Sequence, residues 1–487
     1  MSKEHSRTPA RSLSRRAALL MGGTGGVALA GGGGAWLGTV AAQPATTAAA
    51  EAAIGGLTTP PAYAPSGRRP KYRRATWSQQ FQASHSWTPA GAGTASAEAN
   101  DTSAFVRGTQ SVRVTTNGTG KQSYVRRTGM TAQNLTGKMI RLVFRVDDVT
   151  NLSKLVFYLG SGSLANYFSW TLHAHSTTSA NYVQSGEWVT VHLQWADVTS
   201  AAGTYSVSAS GTPSTKTGFT DMSFAVYDNA GGPVTYRLQT VELIPDTVSV
   251  FPKGVVSITF DDSHKSIHDL ARPVMDQYGF SGTVYNIADA IGTGSFLTVN
   301  QMRSMQDFSG WEMAGHSYAN ATHTASYPKL TAEQADEDFR KLREWLVGNG
   351  FSSEHFAYPH GAFQKTTDGV PVDQIASRHF TTARSIISET IESFAPAMPY
   401  RLKALTGIND GTDIGGTALS RVTGAGGRLD RCANNGDWLI LCLHKVVEGA
   451  PATSTEIGKA GLATLMKAIA DRGIPVLTVE EAMASYT

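Results

Sequence analysis

Hydrophobic and polar positions alternate in short runs through the middle of the chain, then change to a longer rhythm. Between about residues 75 and 248 the runs include Ser111-Val112-Arg113-Val114-Thr115 and Ile140-Arg141-Leu142-Val143-Phe144-Arg145-Val146. Leu155-Val156-Phe157-Tyr158-Leu159, Trp188-Val189-Thr190-Val191-His192-Leu193 and Ser223-Phe224-Ala225-Val226-Tyr227 follow, with Gly, Ser, Thr and Asn between the runs. A period of two puts every second side chain on one face, as in half-buried strands. No stretch of helical period competes. The region predicts an all-β sandwich.

From about residue 250 the pattern predicts strands alternating with helices. Val255–Phe260 reads as a strand, followed by a helix from about Lys265 to Tyr278. A strand at Gly282–Asn286, a helix at Thr298–Phe308 and a strand at Trp311–His316 come next. Thr331 with Gln334 three residues on is a capping box, and Ala335, Phe339, Leu342 and Leu346 share one helical face until Gly348 and Gly350. Strands at His355–Tyr358 and Phe380–Ala383, a segment at Tyr400–Leu402 and a helix from about Thr417 to Cys432 continue the series. Strand Trp438–Leu443 and a last helix and strand ending at Pro475–Val479 complete it. Seven to eight strands with intervening helices predict an α/β fold, a (β/α) barrel.

Length and composition fit two domains plus a leader. The chain has 487 residues, too many for one ordinary domain, and 41 % hydrophobic content with 50 glycines marks a globular, turn-rich protein. A net charge of +3 without a basic, aromatic-laced stripe excludes a nucleic-acid binder on this reading, and no obligate protein partner is evident. Cys432 and Cys442 are too few for a disulfide scaffold or a four-cysteine zinc site; whether the two pair is left open.

Ser12-Leu13-Ser14-Arg15-Arg16, followed by an Ala/Gly/Leu stretch to about Ala42, resembles a twin-arginine export signal. Gly31 to Gly34 make a poor membrane span. Residues 43–74 are rich in Ala, Thr and Pro, end in Arg68-Arg69-Pro70-Lys71-Tyr72-Arg73-Arg74, and read as a disordered linker. The expected organisation is therefore a leader over 1–42, a linker over 43–74, a sandwich over 75–248 and a barrel over 249–487. The sandwich resembles the jelly-roll modules found beside carbohydrate-active enzymes. Trp170, Trp195 and Tyr167 are its candidates for stacking on sugar rings, with core packing as the competing role.

The candidate chemistry lies at the strand ends. Val255–Phe260 stops in Asp261-Asp262, and the third strand stops in His316. Pro359-His360-Gly361 follows the fourth, and His444 follows Trp438–Leu443. Strand C-termini of an α/β barrel converge on one mouth, which is where such enzymes place their catalytic groups. Asp262 before Ser263-His264-Lys265-Ser266 also suits a helix N-cap. His264 and His268 read as a solvated helix face, His264 being the better candidate to line the cleft.

Thr259-Phe260-Asp261-Asp262, Gly315-His316-Ser317, Phe356-Ala357-Tyr358-Pro359-His360-Gly361 and Leu441-Cys442-Leu443-His444 occur in the motif order of the polysaccharide deacetylases. Residues 250–487 resemble that family, the NodB-homology group of carbohydrate esterase family four. The resemblance implies a distorted (β/α) barrel and a metal-dependent hydrolysis in which metal-bound water attacks the acetyl group of an N-acetylated polysaccharide. It implies Asp261 as general base, His444 as general acid, and Asp262 and His316 as ligands of zinc or another divalent metal. It also implies an oxyanion contact near the backbone N–H of His360 and an arginine that orients Asp261, for which Arg401 is the candidate.

The chain departs from the family pattern at the third ligand. The family's second histidine falls four residues after the first, and here that position is Asn320. His323 is seven residues after His316, two turns or about 10 Å along a regular helix, so it can serve only if the segment is not one helix. His323 is the expected third ligand and Asn320 the fallback. His360 and Ser263 replace the Tyr and Gly common at their positions. The expected function is removal of N-acetyl groups from a cell-wall or exopolysaccharide by an exported, secreted or envelope-associated enzyme. A catalytically impaired sugar-binding relative and an O-acetyl esterase on xylan-like polymers are the alternatives.

Overall fold

The computed structural model describes residues 54, 56–67, 72–82, 84–173, 183–195, 205–212, 216–246, 251–351, 353–387 and 391–485. The leader expected over 1–42 lies outside them, and so do Arg68 to Lys71 of the basic run. Among the described residues no helix is long and apolar enough to cross a membrane.

The change of period in the sequence coincides with a change of sheet type. Before residue 250 the described strands form two antiparallel sheets of six. In the first, Thr94–Asp101, Ser111–Thr116, Thr235–Pro245, Lys138–Val146 and Glu187–Leu193 are neighbours in that order, with Trp77–Gln79 also on Thr235–Pro245. In the second the order is Tyr205–Ser210, Asn166–His173, Leu152–Ser161, Asp221–Asp228, Gln122–Arg127 and Thr88–Ala90. Alternate residues of both sheets, among them Leu142, Phe144, Phe157 and Phe224, meet in one apolar cluster.

Trp170 and Trp195 belong to that cluster, at 2 % and 8 % exposure. Their indole N–H groups donate to the carbonyls of Gln194 and Lys138, each at 3.0 Å. They are core residues and cannot stack on a sugar. Tyr167 sits half-buried on the opposite face of its strand.

After residue 250 the main sheet is parallel, curled and seven-stranded among the described residues. Its order is Thr382–Arg384, His355–Ala357, Glu312–Ser317, Thr283–Ile287, Val255–Phe260, Trp438–Leu443 and Leu405–Thr406. Val255–Phe260 lies near the centre with all six residues buried, as its continuous apolar run requires. The capping box at Thr331 and Gln334 forms, and the helix Ala332–Gly348 buries Ala335, Phe339, Leu342 and Leu346 against the sheet core.

The sheet is an open half-barrel, and two expected elements differ. Pro475–Val479 contributes one bridge, Val256 to Val476, because a capping box at Thr478 and Glu481 starts the helix Val479–Ala484 there. The helix expected over Thr417–Cys432 is two, Leu419–Thr423 and Arg428–Asn435, interrupted at Gly424, Gly426 and Gly427.

The described part of the expected linker is held against the protein. Ile54 and Leu57 pack on the parallel-sheet core, Arg378 donates to the Thr59 carbonyl at 2.7 Å, and the Ser66 amide donates to Glu354 at 2.8 Å. The antiparallel and parallel parts also share buried contacts. Ile387 and Met398 join the antiparallel cluster, and His192 Nδ1 lies 2.9 Å from the Ser393 hydroxyl.

His355 is buried in its strand, with Nδ1 2.7 Å from the Thr382 hydroxyl. Burial pushes its pKa down from the ordinary value of 6.5 to about 4. The unfolded chain therefore takes up a proton near pH 6.5 that the folded chain refuses until about pH 4. Stability from this residue is present above pH 6.5 and is lost as pH falls through that window, by up to about 1.4 kcal/mol per pH unit. Urea unfolding of His355→Gln between pH 7 and pH 4 is expected to show a shallower acid-side loss than the parent.

Candidate metal and catalytic site

Parallel register brings the chemistry-bearing ends of different strands to one level. Phe260 pairs with Leu443, and the Asp261 amide donates to the Leu443 carbonyl at 2.9 Å, so Asp261 and His444 follow side by side. Gly315 pairs with Phe356 and Ala357 with Arg384. His316, the Pro359-His360-Gly361 turn and Arg384 thereby reach the same end of the sheet.

Two adjacent carboxylates on a straight strand would point to opposite faces. Here Asp262 and Ser263 both adopt left-handed backbone, at φ 67° and 57°. A non-glycine residue pays about 1 kcal/mol or more for this conformation. The buried Ser263 hydroxyl offsets it, donating to the Asn286 side chain at 3.2 Å and accepting from the Ile287 amide at 3.0 Å. Asp262 is therefore no helix cap. The next helical turn starts at Ile267 without a side-chain cap, and the Asp262 carboxylate turns toward the histidines.

His316 and His323 do not share a helix. His316 is on the strand Glu312–Ser317 and His323 on the helix Asn320–Ala325. The Tyr318 and Ala319 amides between them donate to the two oxygens of Asp338, at 2.9 and 3.1 Å, and the Tyr327 hydroxyl donates to Asp338 at 2.7 Å. This buried carboxylate fixes the link that doubles the chain back. The two imidazole centroids are 4.9 Å apart. Asp262 Oδ1 lies 2.9 Å from His323 Nε2 and 3.5 Å from His316 Nε2. Asp262, His316 and His323 each offer one ligand atom, all within 4.8 Å of one another. Asn320 is exposed at the start of the helix, its backbone amide donating to Asp289 at 2.8 Å.

The donor set fits a divalent metal. His316 Nδ1 is 2.6 Å from the Ala357 carbonyl, which can only accept, so Nδ1 carries the proton and Nε2 offers a lone pair toward Asp262. Two imidazoles and a carboxylate are a common three-ligand zinc set that leaves a fourth position open. Burial opposes the charged form of Asp262, but the imidazoles of His316 and His323 beside it outweigh that and hold the carboxyl well below the usual range.

Asp261 is paired with an arginine, though not the expected one. Arg384 is fully buried and donates to both Asp261 oxygens, at 2.6 and 2.5 Å. Burial of Asp261 is again overcome, first by Arg384 and then by His316 and His444, so the carboxyl stays below its usual range. Arg401 does not touch Asp261. Its Nε donates to Asp373 at 2.9 Å, and its Nη2 donates to both Asp373 and Glu187, because it leaves a short turn on the flank of the sheet. The sequence signal for Arg384 was its place directly after the strand residues Thr381-Thr382-Ala383.

His444 is partly buried, with Nδ1 shielded and unpartnered, and groups with Asp261 and Cys442. His360 takes left-handed backbone at φ 57°, and its exposed ring stands at the rim with Nε2 3.1 Å from the His323 carbonyl. His264 stacks on Phe296 and reaches within 3.8 Å of Asp262, whereas His268 turns to Asp269 at 2.8 Å.

Residues 249–374 match the family model described as polysaccharide deacetylase. This stretch is a polysaccharide deacetylase domain. The chain is 28 % identical over 121 residues to the poly-beta-1,6-N-acetyl-D-glucosamine N-deacetylase of Staphylococcus epidermidis, covering 23 % of this chain and 42 % of that protein. It is 30 % identical over 117 residues to the putative polysaccharide deacetylase YxkH of Bacillus subtilis, covering 23 % and 39 %. The chain thus spans about two fifths of the length of these relatives. Among solved structures, the Xyl-CE4 domain of a multidomain xylanase from the hindgut metagenome of Trinervitermes trinervoides aligns at 16 % identity and TM-score 0.30, over 48 % of this chain and 91 % of that one. The matched deacetylase stretch contains Asp261, Asp262, His316, His323 and His360. Arg384, Arg401 and His444 lie beyond it.

The cysteines are free and buried. Cys432 Sγ contacts the carbonyls of Val255 and Asp437, and Cys442 Sγ lies 3.5 Å from Asp261 Oδ2. Val255 pairs with Trp438 and Thr259 with Cys442, so the two thiols occupy opposite ends of one strand pair. Four strand residues span about 13 Å, too far for a disulfide. Thiol titration of the denatured, never-reduced protein is expected to count two thiols per chain; a count of zero would mean that the two pair.

Proposed function

We propose that the chain is an exported, zinc-dependent hydrolase that removes N-acetyl groups from an N-acetylated polysaccharide. The observation that carries this reading is the convergence of Asp262, His316 and His323 on one point beside the Arg384–Asp261 pair. The positions of the two histidines support an active enzyme over an impaired sugar-binding relative, since the unusual spacing still brings His323 Nε2 to 2.9 Å from Asp262. The leader at Arg15-Arg16 supports export, and the relatedness to the poly-N-acetylglucosamine deacetylases supports an N-acetylated polymer. The shared apolar cluster of the two antiparallel sheets supports a sandwich domain ahead of the deacetylase.

Asp262, His316 and His323 would hold the metal. When bound it supplies Lewis acidity, polarising the acetyl carbonyl and easing ionisation of water. Asp261 takes a proton from the attacking water. Arg384 keeps that carboxylate ionised and fixed, with no freedom to swing to another acceptor. His444, across from Asp261, donates a proton to the leaving amine. A backbone N–H at the left-handed His360 turn would serve the oxyanion, and the His360 ring lines the rim.

Acetate release from poly-N-acetylglucosamine, chitin oligomers and acetylated xylan, with and without a strong chelator, tests the reading. Release from an N-acetylated polymer that stops with chelator and returns with zinc is expected. Release from acetylated xylan alone would favour the esterase, and chelator-resistant release would refute the metal.

Metal analysis separates the candidate ligands. Purified parent is expected to hold about one zinc per chain, His323→Ala to lose it, and Asn320→Ala to keep it.

Arg384 and Arg401 separate in the same assay. Arg384→Met is expected to lower kcat by about two orders of magnitude, the usual span for a disabled proton-transfer group. Arg401→Met should lower the thermal midpoint and leave kcat within a few fold.

A further inference from the structure

The second antiparallel sheet has a face that neither the core nor the metal site uses. Strand register puts Tyr124, Tyr158, Tyr167 and Tyr227 on it together. Tyr158 stands opposite Ser223, Tyr124 opposite Ala225, and Tyr167 opposite Gly160. All four tyrosines are partly exposed, while Val156, Gly160, Ser223 and Ala225 between them are buried and small. The rings contact one another: Tyr158 and Tyr167 meet edge to face at 5.2 Å, and the Tyr158 and Tyr227 hydroxyls lie 3.4 Å apart. At Gly160 a Cβ would come within 2.2 Å of the Asn166 carbonyl, so the strand can approach Tyr167 this closely only with glycine.

Two polar atoms in this face are shielded and unpartnered, Ser223 Oγ and Arg126 Nε. Ser223 and Arg126 are direct partners across the ladder, with Tyr158 on the other side of Ser223. Ser223 is fully buried. Such groups are unfavourable unless something supplies the missing hydrogen bonds. Both charged side chains resting on the tyrosines are cationic: Arg126 lies 4.2 Å over Tyr124 and Lys154 4.6 Å over Tyr227.

We infer that this face binds a stretch of acetylated glycan chain. Aromatic faces are electron-rich and attract the polarised C–H edges of a sugar ring, and the tyrosine hydroxyls meet the ring hydroxyls. The Arg126 guanidinium over the Tyr124 ring offers N–H donors to sugar hydroxyls. The sign of the charge adds direction. An N-acetylated chain is neutral, whereas its de-N-acetylated form carries an ammonium on each freed sugar, which Arg126 and Lys154 repel. The face therefore holds substrate polymer and releases product polymer. That the glycan is acetylated rests on the deacetylase reading above; binding of a neutral glycan by the face does not.

Tyrosine nitration mapped by mass spectrometry, on the full-length protein carrying Asp262→Ala to stop turnover, is the direct test. Acetylated β-1,6- and β-1,4-linked glucosamine oligomers are the probes, each beside its de-N-acetylated counterpart. At least one acetylated oligomer is expected to slow nitration of Tyr124 and Tyr167 severalfold, with little effect from its deacetylated form. No protection by either acetylated oligomer overturns the proposal, even with normal acetate release by the parent. Equal protection by both forms overturns the charge argument. Failure of acetate release on every polymer, with protection intact, would refute the deacetylase reading and leave the face standing. In active protein, Tyr124→Ala and Tyr158→Ala are expected to raise KM on long polymer about tenfold and leave hydrolysis of short oligomers unchanged, with Tyr158→Phe, which keeps the ring, closer to the parent than Tyr158→Ala. Unchanged KM in both alanine variants counts against the proposal.

Discussion

The site depends on how a strand is made to end. Asp261 and Asp262 are neighbours, and extended backbone would send their carboxylates apart. Two successive left-handed residues, Asp262 and Ser263, break the alternation and send one carboxylate toward Arg384 and the other toward the histidines. The Ser263 hydroxyl, bonded to Asn286 and Ile287 on the adjoining strand, locks the turn where glycine would leave it loose. A single short turn thus separates a carboxylate paired with Arg384 from one that faces two histidines.

Around this turn the protein uses buried charge to hold each reacting group. Arg384 neutralises Asp261 in a buried place, and a pairing of this kind is destabilising when only one partner is removed. Asp338 does comparable work at a distance. It touches no ligand, yet it binds the two amides through which the chain turns from His316 toward His323. The spacing of seven is workable because a helix fifteen residues downstream supplies the carboxylate that closes the turn.

Much of this was legible in the sequence, for a physical reason in each case. Period two marked the antiparallel strands and the buried apolar run marked Val255–Phe260, because burial on one face or two leaves distinct patterns. Parallel strands bring their C-terminal ends to one side, so reading the residues after each strand found Asp261, Asp262, His316 and His444. Arg384 was missed although it too follows a strand, because Arg401 also carries the right charge and only pairing register tells the two apart. The buried state of Trp170 and Trp195 was not legible either. Aromatic residues at strand spacing look alike whether they face the core or solvent, and the parity that decides it is set by which neighbours the strand acquires. The last expected strand failed because a strong capping box at Thr478 overrode the β-branched run before it.

Arg401 has lost its expected part beside Asp261 and gained another. It is buried between Asp373, on the helix Val372–Ala376, and Glu187, on the edge of the first antiparallel sheet. A guanidinium placed there is stable only while both carboxylates are present, and Glu187 comes from the other part of the chain. Cut away from its antiparallel sheets, the deacetylase half would keep a buried cation short of one counter-ion, with Ile387 and Met398 stripped of their apolar neighbours. The two halves are therefore poor candidates for shuffling between genes as independent cassettes.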